Sequence, residues 1–237
     1  MACDIDEASA RETAAMIPQS AALVARCDVS SRDEVEALAA KVDDALGGVD
    51  LVINNAGVAV AGKVGEVSDE DWRWIMGVNL WGPVHGCEVF TPRLKRQGRG
   101  HVLNVASLAG IAKAAMMGPY NVTKAGVIAL TETMAAELEG TGVGATVLCP
   151  SFFPTNIGRN ARGGDPRLQG MVEKLMARSR IDANDVARIA LDAVKREKLY
   201  VLPHPEGRVL WALERMMPAV VHRSSGKIAE RIQRRFS

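Results

Sequence analysis

Three short apolar runs, separated by stretches with a helical pattern, restrict the fold of this chain more than any other feature of its sequence. They lie within residues 50–57, 100–106 and 144–149, and each one ends in a polar or turn-forming residue. Apolar runs of this length are typical of strands buried on both faces, as in a parallel sheet. Strands that alternate with helices predict an α/β fold with a doubly wound parallel sheet, whose ligand would bind beyond the carboxyl ends of the strands.

Capping residues and glycines mark the expected helices between these strands. The pattern predicts helices from Ser30–Ser31 to Gly47–Gly48, from Ser68 through Asn79 towards Gln97–Gly98, from Pro119 to about Glu139, and from Asp185 to Arg196. A last short strand is expected at residues 200–202. The chain contains no internal repeat and no low-complexity linker.

Tyr120 and Lys124 lie four residues apart in the third expected helix, and Ser107 follows the second apolar run. Residues four apart share one helix face. A phenol is a poor base at neutral pH because its ordinary pKa is about 10, but a nearby ammonium group favours the phenolate and lowers that pKa. A serine hydroxyl at the same point can bond a substrate oxygen as charge develops on it. The three side chains predict proton exchange with an alcohol or ketone, with a cofactor carrying the hydride.

The tyrosine–lysine spacing alone also fits an exposed helix face with a solvated lysine. Further motifs argue against that interpretation, because together they resemble the classical short-chain dehydrogenase/reductase family from about residue 3 to about residue 203. The motifs are Asn54-Asn55-Ala56-Gly57, Asn79 within residues 78–82, Ser107, Tyr120 with Lys124, and Pro150 followed by Thr155.

The resemblance implies an α/β fold of the Rossmann type and four catalytic residues. Tyr120 would be the acid and base, and Ser107 would polarise the substrate oxygen. Lys124 would bind the nicotinamide ribose and lower the pKa of Tyr120. Asn79 would hold a water molecule that continues the proton relay.

The same resemblance implies which residues contact the cofactor. Thr155 would bond the nicotinamide carboxamide, and Asp28 with Val29 would contact the adenine ring. Asp28 has a second interpretation, in which it caps the following helix. Family members usually have Pro-Gly where this chain has Pro150-Ser151. The other implied contacts are Asn55, Ala56, Gly57, Tyr120, Lys124 and Pro150.

Asp4 occupies the place where the family has an acidic residue on the adenosine ribose. A carboxylate accepts hydrogen bonds from the two ribose hydroxyls of NAD, whereas it repels the 2′-phosphate of NADP. Residues 5–7 add no positive charge. The sequence therefore favours NAD over NADP. In the alternative interpretation, Asp4 is a solvated acidic residue at the start of a helix and does not bind ribose.

The position of Asp4 also leads to the expectation that the parallel sheet is N-terminally truncated. A first strand and a glycine-rich turn lie roughly 20 residues before this acid in a dinucleotide fold, and no glycine occurs here before Gly47. The first strand and first helix are therefore expected to be absent from this sequence. Two accounts stay open: a longer working protein, or a shortened chain with defective cofactor binding that acts as a non-catalytic interaction module.

Composition fits one soluble α/β domain, expected as an incomplete Rossmann domain over residues 1–203. The net charge of +1 gives no reason to expect nucleic-acid binding. The N-terminus lacks the apolar segment of a signal peptide, and no apolar run is long enough to span a membrane, so a cytoplasmic location is expected. The four cysteines and four histidines show no metal-ligand spacing, and the cysteines are interpreted as small buried hydrophobes.

Two segments, residues 108–118 and 152–180, are expected to line the substrate site. Their apolar residues, among them Ile111, Met117 and Phe153, favour an apolar secondary alcohol or ketone over a sugar or a charged acid. A nucleotide-sugar epimerase shares the tyrosine–lysine spacing, but the turn at residues 54–57 and the short C-terminal region argue against it. The resemblance implies a homodimer or homotetramer.

Residues 204–237 are expected to form a basic amphipathic extension. After Pro205 the segment contains seven basic and three acidic residues, and Pro218 should end its first helix. That helix would pack over the substrate segment or against a partner subunit. The alternative is weak peripheral contact with an anionic membrane surface.

Overall fold

The computed structural model describes residues 1–17, 22–158, 161–163, 166–224, 226 and 230. Its strands are β1 (Ala2–Asp4), β2 (Val24–Arg26), β3 (Leu51–Asn54), β4 (Val60–Ala61), β5 (Gly100–Val105), β6 (Val143–Leu148), β7 (Arg162–Gly163) and β8 (Tyr200–Val201). Its α-helices are α1 (Glu7–Ala15), α2 (Arg32–Leu46), α3 (Asp69–Met76), α4 (Gly82–Gln97), α5 (Ala109–Ala112), α6 (Gly118–Glu137), α7 (Pro166–Ala177), α8 (Ala183–Lys195) and α9 (Pro205–Met216).

Every strand pair in the described part of the chain is parallel. Strands β3, β5, β6 and β8 form a four-stranded sheet in that order, β1 pairs with β2, and β4 pairs with β7. The prediction of a Rossmann-type parallel α/β fold is confirmed. The two-residue β4–β7 pair was not expected. The expected absence of a first strand and helix stays a prediction.

Helices α2 and α4 join the β1–β2 pair to the four-stranded sheet. Cys27 at the end of β2, Val52 of β3 and Phe90 of α4 belong to one buried cluster. At the surface next to this cluster, Arg93 Nε of α4 donates a hydrogen bond to Asp43 Oδ2 of α2 over 2.8 Å. The carboxyl end of β2 is therefore held against the larger sheet through a shared core.

Hydrogen bonds at the helix starts confirm the predicted caps. The Ser31 hydroxyl accepts a bond from the Glu34 amide at the start of α2 over 3.4 Å, and Ser68 does the same for Asp71 in α3 over 3.1 Å. The alternative role of Asp28 as the cap of α2 is wrong. Asp28 lies three residues before Ser31, which is the cap. Its carboxylate accepts hydrogen bonds from the amide and the hydroxyl of Ser30, at 2.9 and 2.7 Å.

A π-helical turn interrupts the helix that was expected to run continuously through Asn79. The turn spans Gly77–Trp81 and lies between α3 and α4. Turns of this kind insert one residue into a helix and occur frequently at functional sites. Here the turn contains Asn79, whose side chain is fully buried.

Helix α9 ends at Met216, just before Pro218, as predicted, and it packs against α5. Residues 225, 227–229 and 231–237 of the C-terminal extension lie outside the described residues. No helix in the described ranges is long and apolar enough to cross a membrane. Three cysteines are buried as predicted, but Cys3 is exposed, because β1 has a single partner strand, β2, among the described residues.

Candidate functional site

The end of β5, the first two turns of α6 and the π-helical turn meet at one place. Ser107 lies two residues beyond β5, and Tyr120 and Lys124 follow the start of α6 at Gly118. Pro119 suits this start because the first turn of a helix has no acceptor for its amides. The predicted grouping of Ser107, Tyr120 and Lys124 with Asn79 is thus built from three separate elements.

The phenol of Tyr120 is buried, with 9% of the residue exposed. Burial raises its pKa above the ordinary value of 10.0, and a hydrogen bond with Ser107 opposes that rise only in part. That Lys124 lowers this pKa stays a prediction; the pKa is raised overall, with burial as the largest cause. Burial disfavours the phenolate more strongly than the nearby groups favour it.

Lys124 is also buried, with 3% of the residue exposed. Its ammonium group donates a hydrogen bond to the Val105 carbonyl over 2.9 Å and lies 5.8 Å from the centre of the Tyr120 ring. Burial lowers the pKa of Lys124 to about 8, although the nearby Cys149 thiol acts in the opposite direction. Burial therefore makes the ammonium group easier to deprotonate than that of an exposed lysine.

The backbones of α5 and α6 pack closely beside Lys124. A Cβ atom on Gly110 would lie 2.7 Å from the carbonyl carbon and oxygen of Lys124. That separation is too short for any side chain, so glycine lets the two backbones touch. The contact fixes α5 against the turn of α6 that carries Lys124.

Asn79 is held by the backbone of Val58. Its Oδ1 accepts from the Val58 amide and its Nδ2 donates to the Val58 carbonyl, both over 2.8 Å. Nδ2 also lies 3.4 Å from the hydroxyl of Thr123, which donates to the Tyr120 carbonyl over 2.9 Å. Sequence reasoning did not single out Thr123, although it lies between Tyr120 and Lys124. The water expected on Asn79 stays a prediction.

Backbone amides hold Ser107 and the residue after it in the turn that follows β5. Its hydroxyl oxygen accepts a hydrogen bond from the Ala109 amide over 3.1 Å. The next amide, that of Leu108, donates to the Pro150 carbonyl over 2.8 Å. The turns after β5 and β6 are thereby tied together.

Asn55, Ala56 and Gly57 form an exposed turn after β3. A Cβ atom on Gly57 would lie 3.6 Å from both Asn79 Oδ1 and Lys124 Nζ, so this turn reaches the catalytic group. The Lys124 ammonium group has three protons, and Val105 provides its acceptor within the described ranges. It can therefore still donate to the hydroxyls of a ribose, which fits the ribose and nicotinamide end of a dinucleotide.

Asp4 is the last residue of β1 and is exposed. Its carboxylate accepts a hydrogen bond from the Asp6 amide over 3.0 Å. Arg26 of β2 lies directly opposite Asp4 in the parallel pairing, so a basic residue does lie next to it, which the local sequence did not reveal. The guanidinium group of Arg26 is engaged by Glu34 Oε2 over 2.9 Å.

The other expected cofactor residues lie at the ends of β2 and β6. The Val29 carbonyl bonds the His85 ring over 3.0 Å, and Pro150 is buried. Thr155 lies in an exposed loop, where its hydroxyl accepts from the Ile157 amide over 3.4 Å. Their contacts with a cofactor stay predictions.

His204 also reaches this edge of the sheet, although its isolated position in the sequence gave no signal. Its Nδ1 accepts from the Ser151 amide over 3.1 Å, and burial lowers its pKa. The histidine thus supports the turn that follows Pro150, where the family usually has glycine.

Comparison with known proteins agrees with this geometry. The model of the family described as short chain dehydrogenase matches residues 1–165. A crystal structure of a short chain dehydrogenase/reductase from Burkholderia phymatum in complex with NAD is 32% identical. It superimposes with a TM-score of 0.84 and covers 92% of this chain and 84% of that one.

Two curated relatives illustrate the range of proteins that the chain resembles. The "Probable oxidoreductase EphD" of Mycobacterium tuberculosis is 34% identical over 236 residues, which covers 95% of this chain and 40% of that protein. The meso-2,3-butanediol dehydrogenase of Serratia marcescens is 37% identical over 146 residues, covering 62% of this chain and 58% of the relative. The chain thus spans about two fifths of the length of the EphD relatives.

Proposed function

Because the chain belongs to the short chain dehydrogenase family, we propose that it is an oxidoreductase that interconverts an apolar secondary alcohol and its ketone with NAD(H). The observation that carries this proposal is the grouping of half-buried Ser107 with the buried Tyr120 and Lys124 at the carboxyl edge of the parallel sheet. An exposed helix face, the plainer interpretation of the tyrosine–lysine spacing, does not agree with 3% exposure of Lys124.

Ser107 and Tyr120 would handle the substrate oxygen. In the reducing direction, both hydroxyls donate hydrogen bonds to the ketone oxygen, and Tyr120 transfers its proton as negative charge develops there. In the oxidising direction, the phenolate of Tyr120 takes the proton of the alcohol. Bound NAD(H) would supply the hydride to the carbonyl carbon, or accept it from the alcohol.

Lys124 would support Tyr120 in two ways. Its positive charge stabilises the phenolate that remains after proton donation, because charges interact strongly in a buried site. Its remaining donors would hold the ribose hydroxyls and so orient the nicotinamide. Asn79 fixes the backbone at Val58, next to the turn containing Gly57, and thereby shapes the same region.

Asp4 supports a preference for NAD over NADP. Its exposed carboxylate at the end of β1 could accept bonds from ribose hydroxyls and would repel a 2′-phosphate. Arg26 could attract that phosphate, but Glu34 holds its guanidinium group. The preference would therefore depend on two carboxylates, one that binds ribose and one that occupies the arginine.

The surroundings of Tyr120 support an apolar substrate. Met117 and Ile157, which belong to the two segments expected to line the site, are partly buried in the same cluster as Tyr120. The apolar substituents of such an alcohol or ketone would be buried against these two side chains.

We also propose that the protein forms a homodimer or homotetramer, which sedimentation measurements on the purified chain can test.

The direct experiment measures NADH binding and turnover by the 237-residue chain. Binding is followed by NADH fluorescence, and turnover by NADH absorbance with a panel of apolar ketones, sugars and keto acids. The proposal expects turnover of apolar ketones that Tyr120→Phe removes, and NADH binding that the expected absence of the glycine-rich turn would weaken. Absence of both NADH binding and turnover would contradict the proposal and favour the non-catalytic alternative.

A further inference from the structure

The short strand β4 lies between the two segments that are expected to line the substrate site. On one side it pairs with β7, where the Arg162 amide donates to the Ala59 carbonyl over 3.0 Å. On the other side, the Gly62 amide donates to the Met116 carbonyl over 2.8 Å, and Gly62 forms a β-bridge with Met117. Strand β4 therefore ties the segment before α6 to the segment after β6.

The pairing of β4 with β7 is weak by itself. Each of the two strands has only two residues, and even a complete two-stranded hairpin is marginally stable in water. Both residues of β7 are exposed, so burial contributes little to holding this strand in place. The position of β7 therefore depends on further contacts.

The side chain of Arg162 provides such contacts with α3. Its guanidinium carbon lies 3.9 Å from the centre of the Trp74 ring, and its Nη1 donates to Asp71 Oδ1 over 3.4 Å. The same nitrogen lies 3.5 Å from Glu70 Oε1, but the Glu70 side chain is 86% exposed, and ion pairs of this kind contribute little. Stacking on Trp74 and the bond to Asp71 thus anchor β7 to α3.

The carboxylate of Asp71 is held in place for this contact. The Ser68 hydroxyl, which caps α3, donates to Asp71 Oδ2 over 2.9 Å. The other carboxylate oxygen, Oδ1, faces Arg162. Because one oxygen is fixed by the cap, less side-chain freedom is lost when the second oxygen binds the guanidinium group.

The anchored segment continues into the candidate active site. Ile157 and Trp74 both pack against the buried cluster that contains Tyr120. The Ala161 amide donates to the Gly158 carbonyl over 3.3 Å, so the residue before β7 is bonded directly to the residue after Ile157. The contacts with α3 therefore lie within one short turn of the apolar side chains around the catalytic tyrosine.

We propose that Arg162 is a positioning residue, which stacks on Trp74, holds Ile157 in the cluster with Tyr120 and so limits the space for the apolar substituents of the substrate. This inference rests on the proposed oxidoreductase function. Arg162 would not touch the substrate, because Trp74 and Asp71 already engage its guanidinium group. Its loss should weaken substrate binding and leave proton transfer at Tyr120, which belongs to α6, largely unchanged.

The test compares Arg162→Ala with Arg162→Lys, which keeps the charge but lacks the planar group that stacks on an indole. The matched control is Arg99→Ala, because Arg99 forms an ion pair with Asp50 in which the side chains are 72% and 78% exposed. Steady-state kinetics with small and bulky apolar ketones gives KM and kcat. Hydrogen exchange of the amide of residue 162 reports whether β7 stays bonded to β4, and it requires neither cofactor nor substrate.

We expect Arg162→Ala to raise the KM for apolar ketones about fivefold or more and to speed exchange of this amide by a similar factor, with kcat within about twofold. Arg162→Lys should resemble Arg162→Ala, because most of the contact is stacking, and Arg99→Ala should resemble the unmutated protein. Unchanged KM or unchanged exchange in Arg162→Ala would overturn the proposal, and so would a fall in kcat with KM unchanged.

A second pair of variants tests whether Arg162 acts through Trp74. Once Trp74→Leu has been made, adding Arg162→Ala should change KM and amide exchange by less than about twofold, because the stacking contact is already lost. Fully additive effects would contradict this route. Lack of turnover by the unmutated protein would contradict the proposed function, and the effect on substrate with it, whereas the exchange rates would still decide whether Arg162 anchors β7.

Discussion

Lys113 Nζ donates a hydrogen bond to Glu214 Oε1 over 2.7 Å and so joins the end of α5 to α9. Lys113 has a φ of 51°, in the left-handed region that residues other than glycine rarely adopt. A local conformation of this kind costs about 1 kcal/mol or more. The ion pair offsets that cost and holds the α5 segment in place after Ser107.

We expect Glu214→Ala to lower the free energy of unfolding by about 1–2 kcal/mol, because it removes a mostly buried carboxylate from its lysine. Urea unfolding followed by circular dichroism measures the change. Asp50→Ala is the matched control, since Asp50 and Arg99 form an ion pair that is 78% and 72% exposed. Its effect should stay below about 0.5 kcal/mol, and an equal loss in the two variants would contradict the role of the Lys113 contact.

Tyr120→Phe should reduce turnover by about a hundredfold or more, because it removes the proton that the substrate oxygen requires. NADH binding should change little, since the phenyl ring still fills the same buried position. Steady-state kinetics and NADH fluorescence measure the two effects. Retention of more than about a tenth of the activity would reject the acid and base role.

Ketone reduction should become slower as the pH rises through about 8. The pKa of Lys124 is lowered to about 8 by burial, so its positive charge is lost there, while the raised pKa of Tyr120 keeps the phenol protonated. The measurement is the pH dependence of kcat/KM and of NADH binding. Lys63→Ala is the control, because this lysine is half exposed and paired with Glu66. A profile that stays flat to pH 9 would contradict the role of the Lys124 charge.

The preference for NAD over NADP should depend on two carboxylates that lie on different elements, Asp4 of β1 and Glu34 of α2. Asp4→Ala should narrow the preference for NAD by relieving repulsion of the 2′-phosphate, and adding Glu34→Gln should favour NADP further by releasing Arg26. Each tenfold change in the ratio of kcat/KM values corresponds to about 1.4 kcal/mol. Asp33→Asn on the same helix is the control. Equal use of both cofactors by the unmutated protein would show that Asp4 does not lie at the ribose.

Asn79→Ala should lower the free energy of unfolding by about 2–3 kcal/mol, because it leaves the amide and carbonyl of Val58 unpaired in a buried site. Asn79→Asp should also destabilise, since a carboxylate cannot donate to that carbonyl. Thermal unfolding measures both. If both variants unfold like the parent while turnover falls, the Val58 contacts do not stabilise the fold and Asn79 acts only in catalysis.

Local signals in the sequence were sufficient for much of the fold. Capping serines such as Ser31 and Ser68 bond the amides of their own helices, so their neighbours in the sequence reveal them. The buried runs around Val52, Val102 and Val147 likewise indicate strands without any knowledge of their partners. These features depend on residues only a few positions apart.

The features that the sequence did not reveal depend on contacts between distant elements. Arg26 lies opposite Asp4 only because β1 and β2 pair in a particular register. The raised pKa of Tyr120 follows from burial beneath several elements. Val209 and Met216 of α9 are exposed because the opposite face of the helix packs inwards through Trp211, which a helical pattern alone does not show.

The close contact at Gly110 has a consequence for how this protein could acquire new substrates. Because the backbones of α5 and α6 touch there, and Ala114 and Ala115 are exposed, the position of Lys124 does not depend on the side chains of residues 114 and 115. That stretch could therefore vary in sequence, by natural drift or by exchange of the segment in the laboratory, without disturbing the proton-transfer geometry. The contact at Gly110 would hold the Lys124 backbone in place while these exposed positions change.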